Sequence, residues 1–101
     1  MNRKTQFIEI IQNRSSDLRD LGVRKIGLFG SVMRGDDKDT SDVDVLVEFE
    51  VGQKTFDRLF ALHELLRTAF GCNVDLVTRK SLSPVIGPKI LENVEYVEIP
   101  V

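Results

Sequence analysis

The chain has 101 residues, 42% of them hydrophobic and 30% charged, with a formal net charge of −2 and a pI near 5.4. This size predicts a single domain spanning residues 1–101 around one modest core, and the acidic balance excludes a broad groove for duplex DNA or RNA, which needs a surplus of positive charge. No apolar run approaches a membrane span, no apolar segment follows the basic start Met1-Asn2-Arg3-Lys4, and Cys72, the sole cysteine, excludes an intrachain disulfide or a cysteine metal cluster; the expectation is a cytoplasmic protein with no membrane partner and no stable nucleic-acid partner.

Residues 5–21 predict a helix, because Phe7, Ile10, Ile11, Leu18 and Leu21 recur at three- and four-residue steps, with Arg14 interrupting the stripe. Gly22 is its expected stop. Residues 25–29 predict a short strand ending at Gly30-Ser31, residues 31–35 one helical turn, and residues 36–41 a polar loop. Residues 42–49 predict a strand with Val43, Val45, Val47 and Phe49 on one face and Asp42, Asp44, Leu46 and Glu48 on the other. Residues 55–70 predict a second helix with a broad apolar face that includes Phe56, Leu59, Phe60, Leu62, Leu66, Ala69 and Phe70, stopped by Gly71. Residues 73–78 predict a third strand. Pro84 and Pro88 frame a short helix to about Leu91, and residues 96–99 an edge strand. The order is that of an α+β domain, a small mixed β-sheet flanked by helices.

Three features carry chemistry. A strand that ends in Gly30-Ser31 and turns into a helix exposes backbone N–H groups to phosphate oxygens. Gly30 removes a Cβ that would obstruct the phosphate, Ser31 adds a hydroxyl, and Arg34 stands three residues on to add a charge-assisted bond. The pattern G-x-x-x-x-G-K-[ST] is absent, which excludes a Walker-type site. Asp42 and Asp44, two apart on a strand, leave the same face. Their like charges repel, and a magnesium ion, which takes carboxylate and phosphate oxygens, removes the conflict. Asp75 interrupts the apolar run Val74-Asp75-Leu76-Val77, where it is costly unless exposed or paired. If its strand neighbours 42–49, the three carboxylates can hold two metal ions suited to phosphoryl-type displacement. Taken singly, the first is also an ordinary turn, the second a solvated strand face, and the third a strand-edge Asp facing water. Their conjunction, with residues 32–41 between Gly-Ser and Asp-x-Asp, is far more specific.

The stretch from Gly27 to Val47, containing Gly30-Ser31 and Asp42-x-Asp44, resembles the signature of the minimal nucleotidyltransferase family within the DNA polymerase beta superfamily. Val74-Asp75-Leu76-Val77 is similar to its third motif, and residues 82–91 and the chain length extend the likeness over nearly the whole chain. The resemblance implies a nucleotidyltransferase fold in one minimal domain, with ATP as donor and Mg2+ as cofactor. It implies that Gly30 and Ser31 hold the triphosphate, and that Asp42, Asp44 and Asp75 serve as catalytic metal ligands. It also implies a partner: a HEPN-domain RNase toxin, which accepts AMP on a tyrosine hydroxyl, this chain being its antitoxin.

The alternatives are neutralisation by occupancy without catalysis and transfer to a small-molecule hydroxyl. His63 is expected as a packed or boundary residue, Cys72 as a half-buried filler, and Arg79 and Lys80 as a solvated strand end. Glu48 lies too far along its strand to join the metal set.

Overall fold

The computed structural model describes residues 2–100. Four strands, β1 (Val23–Phe29), β2 (Val43–Phe49), β3 (Val74–Thr78) and β4 (Glu95–Val97), form one sheet in the order β3-β2-β1-β4. β1 is antiparallel to both β2 and β4, while β2 and β3 are parallel. A parallel pair needs a long crossover, and α4 (Phe56–Phe70) supplies it. The Thr55 side chain caps its start, accepting from the Arg58 N–H at 3.1 Å, and Gly71 ends it in the left-handed conformation.

The predicted helix over 5–21 is two helices, α1 (Arg3–Asn13) and α2 (Ser15–Asp20). The break falls at Arg14, where the apolar stripe is interrupted: its φ and ψ of −110° and 19° leave the helical region. Phe7 and Ile11 of α1 and Leu18 of α2 are each fully buried. They meet Ile26 and Leu28 of β1, Val43, Val45 and Val47 of β2, and Leu62, Leu66 and Phe70 of α4 in one core. The Phe7 and Phe70 rings stack with centroids 5.9 Å apart.

Two elements depart from the alternation read in the sequence. Leu46 is fully buried although it shares the Asp44 face, so the middle of β2 is covered on both sides, with Asp44 and Glu48 half-buried around it. Phe56 and Phe60, counted on the apolar face of α4, are 80% and 58% exposed and stack on each other instead of the core. The last helix, α5 (Gly87–Asn93), runs two residues past the expected Leu91, with Pro88 in its first turn, where a missing N–H costs nothing. β4 is the predicted edge strand shifted back to Glu95–Val97. Among the described residues no helix is long and apolar enough to cross a membrane.

Candidate active site

The pairing of β1 with β2 sets Phe29 opposite Asp44, and the parallel pairing of β2 with β3 sets Asp44 beside Asp75. The end of β1 and the starts of β2 and β3 therefore meet along one edge of the sheet. Asp42 stands one residue before β2 and is exposed, as is Asp75, whereas Asp44 between them is half-buried. The three carboxylates that the sequence spaces apart thus come to one edge, and the condition placed on Asp75, a strand next to 42–49, is met. Asp75 is also an exposed residue on an edge strand, so its burial is not what explains it.

Gly30 follows Phe29 and opens α3 (Gly30–Arg34). Its φ is +74°, and a Cβ there would overlap the Asp44 carboxylate. The glycine is thus required by the protein's own carboxylate as well as by any phosphate approaching it, a cause invisible in the linear sequence. With only five residues α3 has little dipole to offer, so anion attraction rests on its N–H groups, on Ser31 and on Arg34. Ser31 is half-buried and its hydroxyl makes no hydrogen bond among the described residues. Arg34 is exposed, with its Nε 3.3 Å from the Asp36 carboxylate.

Burial raises the Asp44 pKa above the usual carboxylate value, and the negative charges of Asp75 and then Asp42 push it further the same way; Arg34 pulls it down. Among the described residues none of the three carboxylates is in an ion pair, and no three carboxylate, histidine or cysteine groups form a preassembled metal cage. The donor set nevertheless fits magnesium, which keeps several waters and borrows substrate phosphates. Two neighbouring carboxylates that raise the pKa of a third, half-buried one are what a hard cation would relieve.

A cavity of about 460 Å3 opens beside Gly30, between α3 and α5. Met33, Ile86 and Ile90 make its walls apolar, and Arg34, Lys89 and Asn93 add polar groups. Lys89 and Asn93 were missed in the sequence. The sequence shows only that residues 86, 89, 90 and 93 share one helical face, not that this face meets α3. A second cavity, of about 330 Å3, lies at the other end of β2, among Glu48, Lys54 and Arg79; neither cavity is lined by Asp42, Asp44 or Asp75, but the first adjoins Gly30.

The remaining candidates behave as their bland readings predict. His63 is half-buried with Nε2 2.9 Å from the Val74 carbonyl oxygen, a boundary residue tying α4 to β3. Cys72 is half-buried against the core. Arg79 and Lys80 are exposed in a 3-10 turn, Arg79 lying 3.8 Å from Glu48. Glu48 also accepts from the Tyr96 hydroxyl at 3.3 Å, away from the acidic edge.

A small mixed sheet with a row of carboxylates beside a Gly-Ser turn suits transfer from nucleoside triphosphates. The chain belongs to the nucleotidyltransferase domain family, whose sequence profile matches residues 5–97. It is 42% identical over 89 residues to the protein adenylyltransferase MntA of Thermococcus cleftensis, covering 87% of this chain and 89% of that protein. A solved protein assigned as a minimal nucleotidyltransferase superposes with a TM-score of 0.76 at 29% identity, over 100% of this chain and 97% of its own. A toxin–antitoxin structure with AMP-PNP superposes with a TM-score of 0.68 at 24% identity, over 95% of this chain and 73% of its own, a likeness of fold. The expected α+β fold and nucleotidyltransferase class both hold.

Proposed function

We propose that the chain transfers AMP from ATP to a hydroxyl of a partner protein, a tyrosine of a HEPN-type RNase toxin, and so acts as the toxin's antitoxin in the cytoplasm. The observation that carries this reading is the adjacency of Asp44 and Asp75 on parallel strands beside Gly30. The relative named a protein adenylyltransferase and the toxin–antitoxin fold relative with an ATP analogue support it.

Gly30 and Ser31 hold the triphosphate, with Arg34 and Lys89 as the nearby cations, and the cavity between α3 and α5 receives part of the nucleotide. Asp42, Asp44 and Asp75 would hold Mg2+, which neutralises charge on the α-phosphate. Asp75, exposed at the sheet edge, takes the proton of the acceptor hydroxyl. The acceptor oxygen bonds to the α-phosphorus as the bond to the β-phosphate side breaks and pyrophosphate leaves. Most of the acceleration comes from holding reactants in line and balancing charge. The described elements all serve the sheet and its packing, and none forms a separate acceptor-binding lobe. The relative named a protein adenylyltransferase favours a protein hydroxyl over a small-molecule one.

The test is incubation of the purified chain with labelled ATP, magnesium and the product of the adjacent gene, the proposed toxin. Label should enter the toxin, and Asp42→Asn should abolish transfer. Full neutralisation by Asp42→Asn without label transfer would replace catalysis with occupancy. Lys89→Met should raise the KM for ATP by about tenfold, as loss of a charge-assisted phosphate contact does, with little change in kcat.

A further inference from the structure

We propose that Arg3 is a positioning residue for Asp42, fixing the stretch of backbone that carries the first carboxylate of the site. The inference rests on the reading of Asp42, Asp44 and Asp75 as metal ligands. Arg3 begins α1, directly after the capping Asn2, and no acidic residue lies in that first turn. A cation at a helix N-terminus opposes the dipole. Its guanidinium instead crosses to the loop before β2.

There it donates to the carbonyl oxygens of Ser41 at 2.7 Å, Asp39 at 2.8 Å and Lys38 at 3.3 Å. The Asp37 carboxylate lies 3.7 Å away, and the Arg3 side chain is only 19% exposed. A planar fork of N–H donors can satisfy several carbonyls at once, which a lysine ammonium on a flexible stem does less well. The loop's own bonds close only its tip: Ser41 N–H donates to the Lys38 carbonyl and Lys38 N–H to the Ser41 hydroxyl, both at 2.9 Å.

The Ser41 carbonyl belongs to the peptide bond that joins Ser41 to Asp42. One residue further on, the Val43 N–H donates to the Asn73 carbonyl at 3.1 Å. Asp42 is therefore held between two anchored peptide groups, one tied to α1 and the other to the start of β3. Its exposed side chain has no hydrogen bond or ion pair among the described residues, so the backbone alone sets its place. Groups that orient a metal ligand from outside commonly change metal affinity by about 10–100-fold.

The test measures Mn2+ binding by electron paramagnetic resonance on the full chain with a non-hydrolysable ATP analogue, alongside amide hydrogen exchange. Arg3→Met should weaken Mn2+ binding by about tenfold and speed exchange at residues 38–42, while amides of β1 and β2 keep their protection. Arg3→Lys should recover part of the affinity. Unchanged binding in Arg3→Met, with wild-type binding intact, overturns the role of Arg3 and leaves the proposed function standing. Weaker binding with protection lost across the whole sheet overturns it too, because Arg3 then holds the fold rather than Asp42. Absence of Mn2+ binding by the wild type, or full binding by Asp42→Asn, sinks the metal reading itself and this assignment with it.

Discussion

At Gly30 an added β-carbon would overlap the Asp44 carboxylate, whereas at Gly35, with nearly the same backbone (φ +80° against +74°), it would meet nothing within 4 Å. The pair separates conformational strain from the close approach. Gly35→Ala should cost about 1 kcal/mol in urea unfolding, the strain of a left-handed residue. Gly30→Ala should cost about 2 kcal/mol or more, because the carboxylate must also move. Equal losses would show that Asp44 has room to yield. Asp44 itself invites a test of sign. Its raised pKa means that the folded state binds the proton more tightly than the unfolded chain. The associated stability is present below the ordinary carboxylate pKa and lost as pH rises through the raised value. Without divalent metal, Asp44→Asn should therefore melt above wild type at pH 7, and the gap should narrow as pH falls toward the ordinary carboxylate range. A lower melting temperature for Asp44→Asn at pH 7 would mean that the carboxylate makes contacts outweighing its desolvation.

Among the elements, α4 shows the limits of periodicity. The helical stripe correctly gathers Leu62, Leu66 and Phe70 into the core, but it also gathers Phe56 and Phe60, which the structure leaves in solvent. At 3.6 residues per turn Phe56 and Phe60 fall at the margin of that stripe, turned away from the Leu62–Leu66–Phe70 line, so they stay in solvent while Leu59, in the same first turn as Phe56, packs against the core. Phe56→Ser should leave stability within about 0.5 kcal/mol, while Phe70→Ala should cost about 3 kcal/mol or more, both read by chemical denaturation; a large loss at Phe56 would mean that its stacking on Phe60 contributes to the fold. The same reasoning separates what else was legible. Strands β2 and β3 stood out because Val43, Val45 and Val47 recur at every second position beside Asp42, Asp44 and Glu48, and Asp75 interrupts an apolar run. Arg14 showed only as an interruption within one expected helix; the break there was not legible, because it is set by backbone angles that residue type alone does not dictate. Lys89 and Asn93 needed the position of α5 against α3, and Arg3 needed the path of a loop; both are tertiary facts. The carboxylates were legible because their spacing is local to strands, while their meeting depended on a parallel register that the sequence only allowed.

Over the whole molecule, the two ends of the chain close onto each other. The Lys4 ammonium lies 2.7 Å from the Glu95 carboxylate, and β4 seals the outer edge of β1. Gly27 faces that seam: a Cβ there would come within 2.8 Å of the Glu95 carbonyl oxygen and 2.9 Å of the Val94 side chain. Gly27→Ala should push β4 outward at a cost of about 1–3 kcal/mol, with faster hydrogen exchange confined to β1 and β4. Normal exchange there would mean that the strand shifts freely. The site has a wider reach. As proposed, it draws on Arg3, the 30–34 turn, Asp42, Asp44 and Asp75, which meet only when the sheet is paired. No fragment of the chain could present these groups together, so a ligand that binds them binds the folded state alone. Mg-ATP at about 100 times its Kd should then add about 2.7 kcal/mol to folding. In a domain of this size that is a rise in melting temperature of roughly 10 °C or more, growing with the logarithm of nucleotide concentration. On the proposed reading, an acidic edge drawn from distant stretches of chain would make nucleotide supply a thermodynamic brace for the whole fold.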